Sequence, residues 1–332
     1  MAAKPAILIS RKIFPDVVEH LRQHFEVDHN DTDGVLAPAQ LIERLQGKVG
    51  ALTTGSERID GAIVQAAPSL RIVANIAVGY NNFDVPALSS AGVLATNTPD
   101  VLTETTADFG FALLMATARR LTESEHFLRA GQWNRWALDM FAGAEVHGST
   151  LGILGMGRIG QAIARRGALG FGMKVIYHNR SRLDAATEAE CKASYVDKAT
   201  LLREADHLIL VLPYSKESHH AIGAAEIAQM KSSATLVNIA RGGIVDDAAL
   251  AKALKERRIA AAGLDVFEGE PSVHPDLLTV PNIVLTPHIA SATIQTRRAM
   301  AMLAADNVID YLTTGKPRTP LNADIIGKGA RT

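Results

Sequence analysis

The 332-residue chain has a single cysteine, Cys191. An internal disulfide is therefore excluded, and so is a clustered thiolate metal site. Excess charge of either sign is also missing: 34 Lys and Arg oppose 35 Asp and Glu, a formal net charge of −1. That balance argues against a nucleic-acid partner. No apolar run reaches membrane-spanning length free of charge, and the first residues show no long apolar stretch before a cleavage site. The expectation is a cytoplasmic protein with no membrane partner. Hydrophobic residues at 47% and charged residues at 21% suit a globular chain, and the length suits about two domains.

What is present centres on residues 151–165, LGILGMGRIGQAIAR. Leu151, Ile153 and Leu154 read as the end of a buried strand. Gly155, Gly157 and Gly160 then form G-x-G-x-x-G, and Ile159, Ala162, Ile163 and Ala164 give the apolar face of a helix that starts inside it. The first glycine allows the turn, the second lets a pyrophosphate approach, and the third lets helix and strand pack. The helix start offers unpaired N–H groups to phosphates. A second strand follows at 173–178, which makes the unit a dinucleotide site. A ribose 2′-hydroxyl usually meets an acid about 20 residues past such a motif. This chain has His178, Asn179, Arg180, Ser181 and Arg182 there instead. Arg and Ser bind a 2′-phosphate that an acid would repel. NADPH is expected over NADH, with Arg180 and Ser181 as main contacts and Arg182 as helper.

Alternation of strands and helices runs through the whole chain. Strands are expected at 5–10, 26–30, 49–53, 70–78 and 93–97, with helices at 16–25, 38–45 and 60–67. Residues 78–84, VGYNNFD, lie just past a strand. The N–H groups of Val78 and Gly79 either meet a small carboxylate or simply form a turn. One helix is expected over 103–122, with Thr106 in its first turns. Residues 131–141 hold both tryptophans, Trp133 and Trp136, which either anchor an interface, cover a pocket or pack in the core. Later strands are expected at 205–212, just before Pro213, and at 235–239, 260–266 and 283–285. Helices are expected at 248–256 and from near 293, with a loose end from about Lys328. His219 and His220 have no third ligand at a suitable spacing, so no metal is expected. They read as a helix-start loop near the cofactor, and Cys191 as a residue of a surface helix or loop.

Three ionisable residues stand just beyond apparent strands: Arg241 after LVNIA, Glu270 after AAGLDVFEG and His288 after NIVLTP. Each faces the crevice at the C-terminal edge of a parallel sheet if those strands are adjacent. Arg offers a planar fork for a carboxylate, and His carries a proton near neutral pH. A carboxylate on one ring nitrogen fixes the tautomer of the imidazole. Together they suit polarisation of a carbonyl beside a carboxylate. Singly, each is equally a solvated surface group.

These pieces resemble the D-isomer-specific 2-hydroxyacid dehydrogenases over nearly the whole length. The matching stretches are VGYNNFD at 78–84, LGILGMGRIGQ at 151–161, MKSSATLVNIARGGIVDDAAL at 230–250, AAGLDVFEGEP at 261–271 and TPHIASAT at 286–293. Among its branches the chain looks most like glyoxylate and hydroxypyruvate reductases that also reduce 2-ketogluconate. The resemblance implies an α/β fold of two Rossmann-like domains with parallel sheets and the active site in the cleft. A substrate domain would cover 1–101 and 290–332, and a dinucleotide domain with a dimerisation arm would cover 102–289. It implies that Arg241 binds the 2-oxo acid carboxylate, His288 donates the proton, Glu270 pairs with His288, and backbone groups of Val78 and Gly79 hold the carboxylate. Asp265, Ile239 and Ala240 would lie at the nicotinamide, Arg158 and Ile159 at the pyrophosphate, and Thr106, Asn179, Pro213 and Ala290 elsewhere along the cofactor. A homodimer is implied, with an aromatic residue of the 131–141 arm reaching the neighbouring site. Two other functions stay open: an NAD-dependent dehydrogenase of another D-2-hydroxy acid or of phosphite, and a non-catalytic cofactor-sensing protein.

Overall fold

The computed structural model describes residues 3–327. The expected loose end from Lys328 lies outside them. Two compact units form, Met1–Leu102 with Thr293–Thr332, and Thr103–Ala292. The junctions fall one and three residues beyond the expected 101/102 and 289/290. The second shift follows from the cap of the last helix, where the Thr293 side chain accepts from the N–H of Thr296.

The first unit carries five parallel strands, β1 (Ala6–Ile9), β2 (Glu26–His29), β3 (Gly50–Thr53), β4 (Ile72–Asn75) and β5 (Leu94–Thr96). Their order is β2-β1-β3-β4-β5. Helices α1 (Pro15–Arg22), α2 (Pro38–Leu45), α3 (Gly61–Ala66) and α4 (Val85–Ser90) connect them. Continuous apolar strands such as Ile7–Leu8–Ile9 have no exposed surface, as a sheet covered on both faces requires. The four residues of α4 after its proline start were too few to show a period in the sequence.

The second unit opens with α5 (Thr103–Ala118) and α6 (Leu121–Arg129). One helix over 103–122 was expected; the chain instead breaks between them. Arg120 takes φ +53°, and its guanidinium pairs with Glu123 and covers the Phe141 ring. The freed carbonyl of Ala118 accepts the N–H of Ala144. Then come β6 (Thr150–Leu154), α7 (Arg158–Arg165), β7 (Lys174–His178), α8 (Ala185–Cys191), β8 (Ala193–Tyr195), α9 (Lys198–Glu204), β9 (His207–Leu210), α10 (Ala224–Ile227), β10 (Thr235–Asn238), α11 (Asp247–Lys255), β11 (Ala261–Leu264) and β12 (Ile283–Leu285). The final helix, α12 (Ile294–Thr314), returns to the first unit and packs on β3 and β4 there. All seven strands of the second sheet are parallel, in the order β12-β11-β10-β9-β6-β7-β8. Strand order reverses between β6 and β9, which opens a crevice at their C-terminal ends. Cys191 corrects the surface reading: it is fully buried on α8, and burial raises its thiol pKa.

Candidate active site

The turn after β6 has the shape a dinucleotide needs. Gly155 takes φ +102°, and a Cβ there would stand 2.6 Å from the N of Leu212. A Cβ on Gly160 would stand 2.5 Å from the carbonyl oxygen of Gly155, so strand and helix touch at backbone distance. Gly157 differs. Its φ is an ordinary −78°, and a Cβ would meet nothing within 4 Å. Its lack of a side chain leaves open space before α7. No side chain caps that helix, so the amides of Arg158, Ile159 and Gly160 lie at an uncapped start. A pyrophosphate fits this cradle.

Further residues fit the rest of such a ligand. Thr106 is buried on α5, and its hydroxyl has no hydrogen-bond partner among the described residues. Past β7, Arg180 and Ser181 are exposed with no acidic residue between His178 and Leu183. Asn179 turns inward, and its Oδ1 accepts the Met156 N–H at 2.6 Å, tying this loop to the glycine turn. Pro213 ends the run after β9, and its carbonyl accepts from Ser218. Arg182, expected as a helper, is already engaged. Its guanidinium is paired with Glu188 at both carboxylate oxygens.

Arg241, Glu270 and His288 follow β10, β11 and β12, three adjacent strands. Adjacency in a parallel sheet is what converges residues so distant in sequence. His288 Nδ1 lies 3.1 Å from each oxygen of Glu270. The contact leaves Nε2 as the free ring nitrogen. The His288 backbone sits at φ +53°, a strained setting for a non-glycine residue. Its own N–H, 2.9 Å from the Asp265 carbonyl, helps hold that turn. Arg241 is partly buried; burial lowers its pKa and the Glu270 charge opposes that. Its Nη1 donates to the Ala240 carbonyl at 2.8 Å.

Two supporting residues escaped the sequence reading. Asn238 receives the Ala240 N–H at 3.0 Å and donates to the Arg241 carbonyl at 3.0 Å, shaping the loop that carries Ile239 through Arg241. Asp247 accepts the N–H of Glu268 at 3.1 Å and so ties α11 to the Glu270 loop. Only the Asn and Asp turn chemistry of NIARGG and VDDA hinted at them. Asp265 is fully buried, and burial raises its pKa. Its carboxylate accepts from Thr286 Oγ1, Ile289 N and Ala290 N at 2.7, 2.8 and 2.9 Å, so it moulds the His288 loop. A carboxylate has about four acceptor sites, which leaves one for an amide donor. In the first unit, Val78 and Gly79 follow β4. Their carbonyls accept from Asn97 and Asn75, at 2.8 and 3.0 Å.

Known proteins place the family. Residues 111–290 match the family described as D-isomer specific 2-hydroxyacid dehydrogenase, NAD binding domain. The chain belongs to that family. It is 47% identical to a glyoxylate reductase of Thermococcus gammatolerans and 46% identical to one of Pyrococcus furiosus, each over 97% of both chains. The fold matches a crystal structure of an NADPH-dependent glyoxylate/hydroxypyruvate reductase from Sinorhizobium meliloti in complex with NADP and malonate. That match has a TM-score of 0.87 and 36% identity, and covers 99% of each chain. A 2-hydroxyacid dehydrogenase of this family is an oxidoreductase.

The two-histidine pair needs one more correction. A third ligand does accompany it: Glu268 Oε2 lies 2.9 Å from His220 Nε2, and the three residues cluster. The His219 and His220 rings stack 3.9 Å apart at 23° between planes. Nearly parallel rings direct their lone pairs along nearly parallel planes, so one ion cannot lie in both without a ring turning. Among the described residues no helix is long and apolar enough to cross a membrane.

Proposed function

We propose that this protein reduces small 2-oxo acids with NADPH, taking glyoxylate to glycolate and hydroxypyruvate to D-glycerate, with 2-keto-D-gluconate as a third substrate. The observation that carries the reading is the His288–Glu270 pair with Arg241 on the adjacent loop of the same sheet edge. Bound NADPH supplies the hydride. The residues do the rest. Arg241 grips the substrate carboxylate through its planar fork and aligns the neighbouring carbonyl. His288, held through Nδ1 by Glu270, gives a proton from Nε2 to the carbonyl oxygen as it becomes a hydroxyl. In the oxidising direction Nε2 takes that proton back. Val78 and Gly79, whose N–H groups make no hydrogen bond among the described residues, are assigned as carboxylate donors.

The cofactor assignment extends to the groups around it. Gly155, Gly157, Arg158, Ile159 and Gly160 hold the pyrophosphate. Thr106, Asn179, Arg180, Ser181, Pro213, Ile239, Ala240, Asp265 and Ala290 line the rest. The relative from Sinorhizobium meliloti, bound to NADP, supports NADPH. So does the absence of an acid beyond β7. Steady-state kinetics with the three oxo acids and each reduced cofactor test the whole reading. NADPH is expected to give the higher kcat/KM, and no turnover of any of the three would refute it.

The enzyme is assigned as a homodimer of the cytoplasm. Trp133, Trp136 and Leu138 are 55%, 73% and 88% exposed, too apolar a set to face water alone. Packing within the chain is thereby removed as their role. A buried, unpaired Cys191 suits a reducing compartment, which cell fractionation tests.

A further inference from the structure

The loop past β7 is fastened at both ends. On one side Asn179 is held twice, its Oδ1 by the Met156 N–H and its carbonyl by the Tyr195 hydroxyl at 3.3 Å. On the other side stands a buried relay. The Leu183 N–H donates to the Tyr177 hydroxyl at 2.8 Å, and that hydroxyl donates to Glu188 Oε1 at 2.7 Å. Arg182 closes the relay with Nε on Oε1 at 2.9 Å and Nη2 on Oε2 at 2.7 Å. Tyr177 is fully buried and Glu188 is 8% exposed, while the Arg182 side chain reaches over them from solvent. Burial first, and the Glu188 hydrogen bond second, push the phenol up to about 12, so it remains a donor. Between the two anchors stand only Arg180 and Ser181, and neither makes a hydrogen bond among the described residues.

We infer that Glu188 is a specificity-positioning residue: through Arg182 and Tyr177 it sets the loop so that Arg180 and Ser181, and not Arg182, face the 2′-phosphate of the cofactor. The inference rests on the NADPH reading above. A guanidinium already in a two-point carboxylate pair keeps its charge, but the carboxylate offsets its field, and it cannot swing to a phosphate without breaking two charge-assisted bonds. Its remaining role is mechanical. The loop of a 2′-phosphate site must hold its donors before the ligand arrives, or binding carries the cost of ordering them.

Steady-state KM values for NADPH and NADH, at saturating glyoxylate, separate the two roles for Arg182. Glu188→Gln and Arg182→Ala are each expected to raise the NADPH KM about fivefold, the effect of losing a charged hydrogen-bond pair that orders the loop. KM and kcat with NADH stay within about twofold, which also reports intact folding. The double variant is no worse than either single one, because both break the same clamp. Arg182→Lys does not rescue, since an ammonium cannot bridge both oxygens. Tyr177→Phe repeats the test with the ion pair intact and gives a smaller rise. The inference is overturned if Glu188→Gln leaves or lowers the NADPH KM while Arg182→Ala raises it. Arg182 would then touch the phosphate, with Glu188 merely competing for it. Additive effects, or rescue by lysine, overturn it as well. Equal use of NADPH and NADH by the unaltered enzyme is a separate outcome: it removes the cofactor reading, and the 2′-phosphate role of the clamp with it.

Discussion

Single residues divide sharply into those that touch the reaction and those that only permit the turn carrying it. His288 is assigned to the first kind. His288→Ala is expected to lower kcat by about 10²-fold or more, the usual scale of general acid catalysis, with the cofactor KM little changed. Wild-type turnover in that variant would remove the histidine from the mechanism. Two glycines show the other division. At Gly242 a Cβ would stand 1.7 Å from the carbonyl oxygen of Phe267, so Gly242→Ala forces backbone apart beside Arg241. It should cost about 1–3 kcal/mol or more, read as a shifted denaturation midpoint. Gly157→Ala has open space and an ordinary φ. It should cost at most about 1 kcal/mol of stability as a poorer helix cap. Its methyl would enter the space proposed for the pyrophosphate, so the NADPH KM should rise about tenfold, equivalent to about 1.4 kcal/mol of binding. An unchanged KM would place the phosphates elsewhere.

Secondary-structure elements were legible where their pattern was long. Strands such as MKVIYH at 173–178 and the amphipathic α7 announce themselves, since burial on both faces demands continuous apolar residues. Short pieces such as α4, α10 and β8 did not, because three to six residues carry no period. The break after Ala118 was illegible for another reason: it depends on Ala144, which arrives from 26 residues further along. One prediction belongs to β9. His207 is fully buried there, with Nδ1 2.8 Å from Thr235 Oγ1 and Nε2 3.0 Å from the Glu145 carbonyl. Burial lowers its pKa below the ordinary 6.5, against smaller opposing pulls from the Glu145 carbonyl and then Asp206. Above that value both folded and unfolded chains hold it neutral, and its stability contribution is complete. As pH falls below 6.5 the unfolded chain takes up the proton first, and stability is lost by up to about 1.4 kcal/mol per pH unit from this group. Thermal melts from pH 7 to 5.5 should show a falling midpoint, and His207→Gln should flatten the slope. Parallel slopes would assign the loss to other groups.

At the scale of the whole molecule, exposed apolar surface is the feature a single chain does not explain. Leu121 and Leu128 on α6 are 59% and 56% exposed, close in sequence to Trp133, Trp136 and Leu138. We propose that this stretch is the dimer interface. Sedimentation velocity should return twice the chain mass, and Trp133→Asp with Trp136→Asp should return the single mass. A single mass for the unaltered protein would refute the dimer.

Sequence alone determined the chemistry on offer. G-x-G-x-x-G with its strand and helix, the missing acid beyond β7, and the types of Arg241, Glu270 and His288 are local facts, because each depends on residue type or short spacing. Tertiary structure decided which of those groups meet. The order β12-β11-β10 brings three loops to one edge, although 47 positions separate Arg241 from His288. It also decided what the basic loop does with its second arginine, since the turn into α8 folds Glu188, six residues on, back onto Arg182. Charge in a sequence is a count, whereas charge in a fold is a set of partners, and partners are chosen by packing.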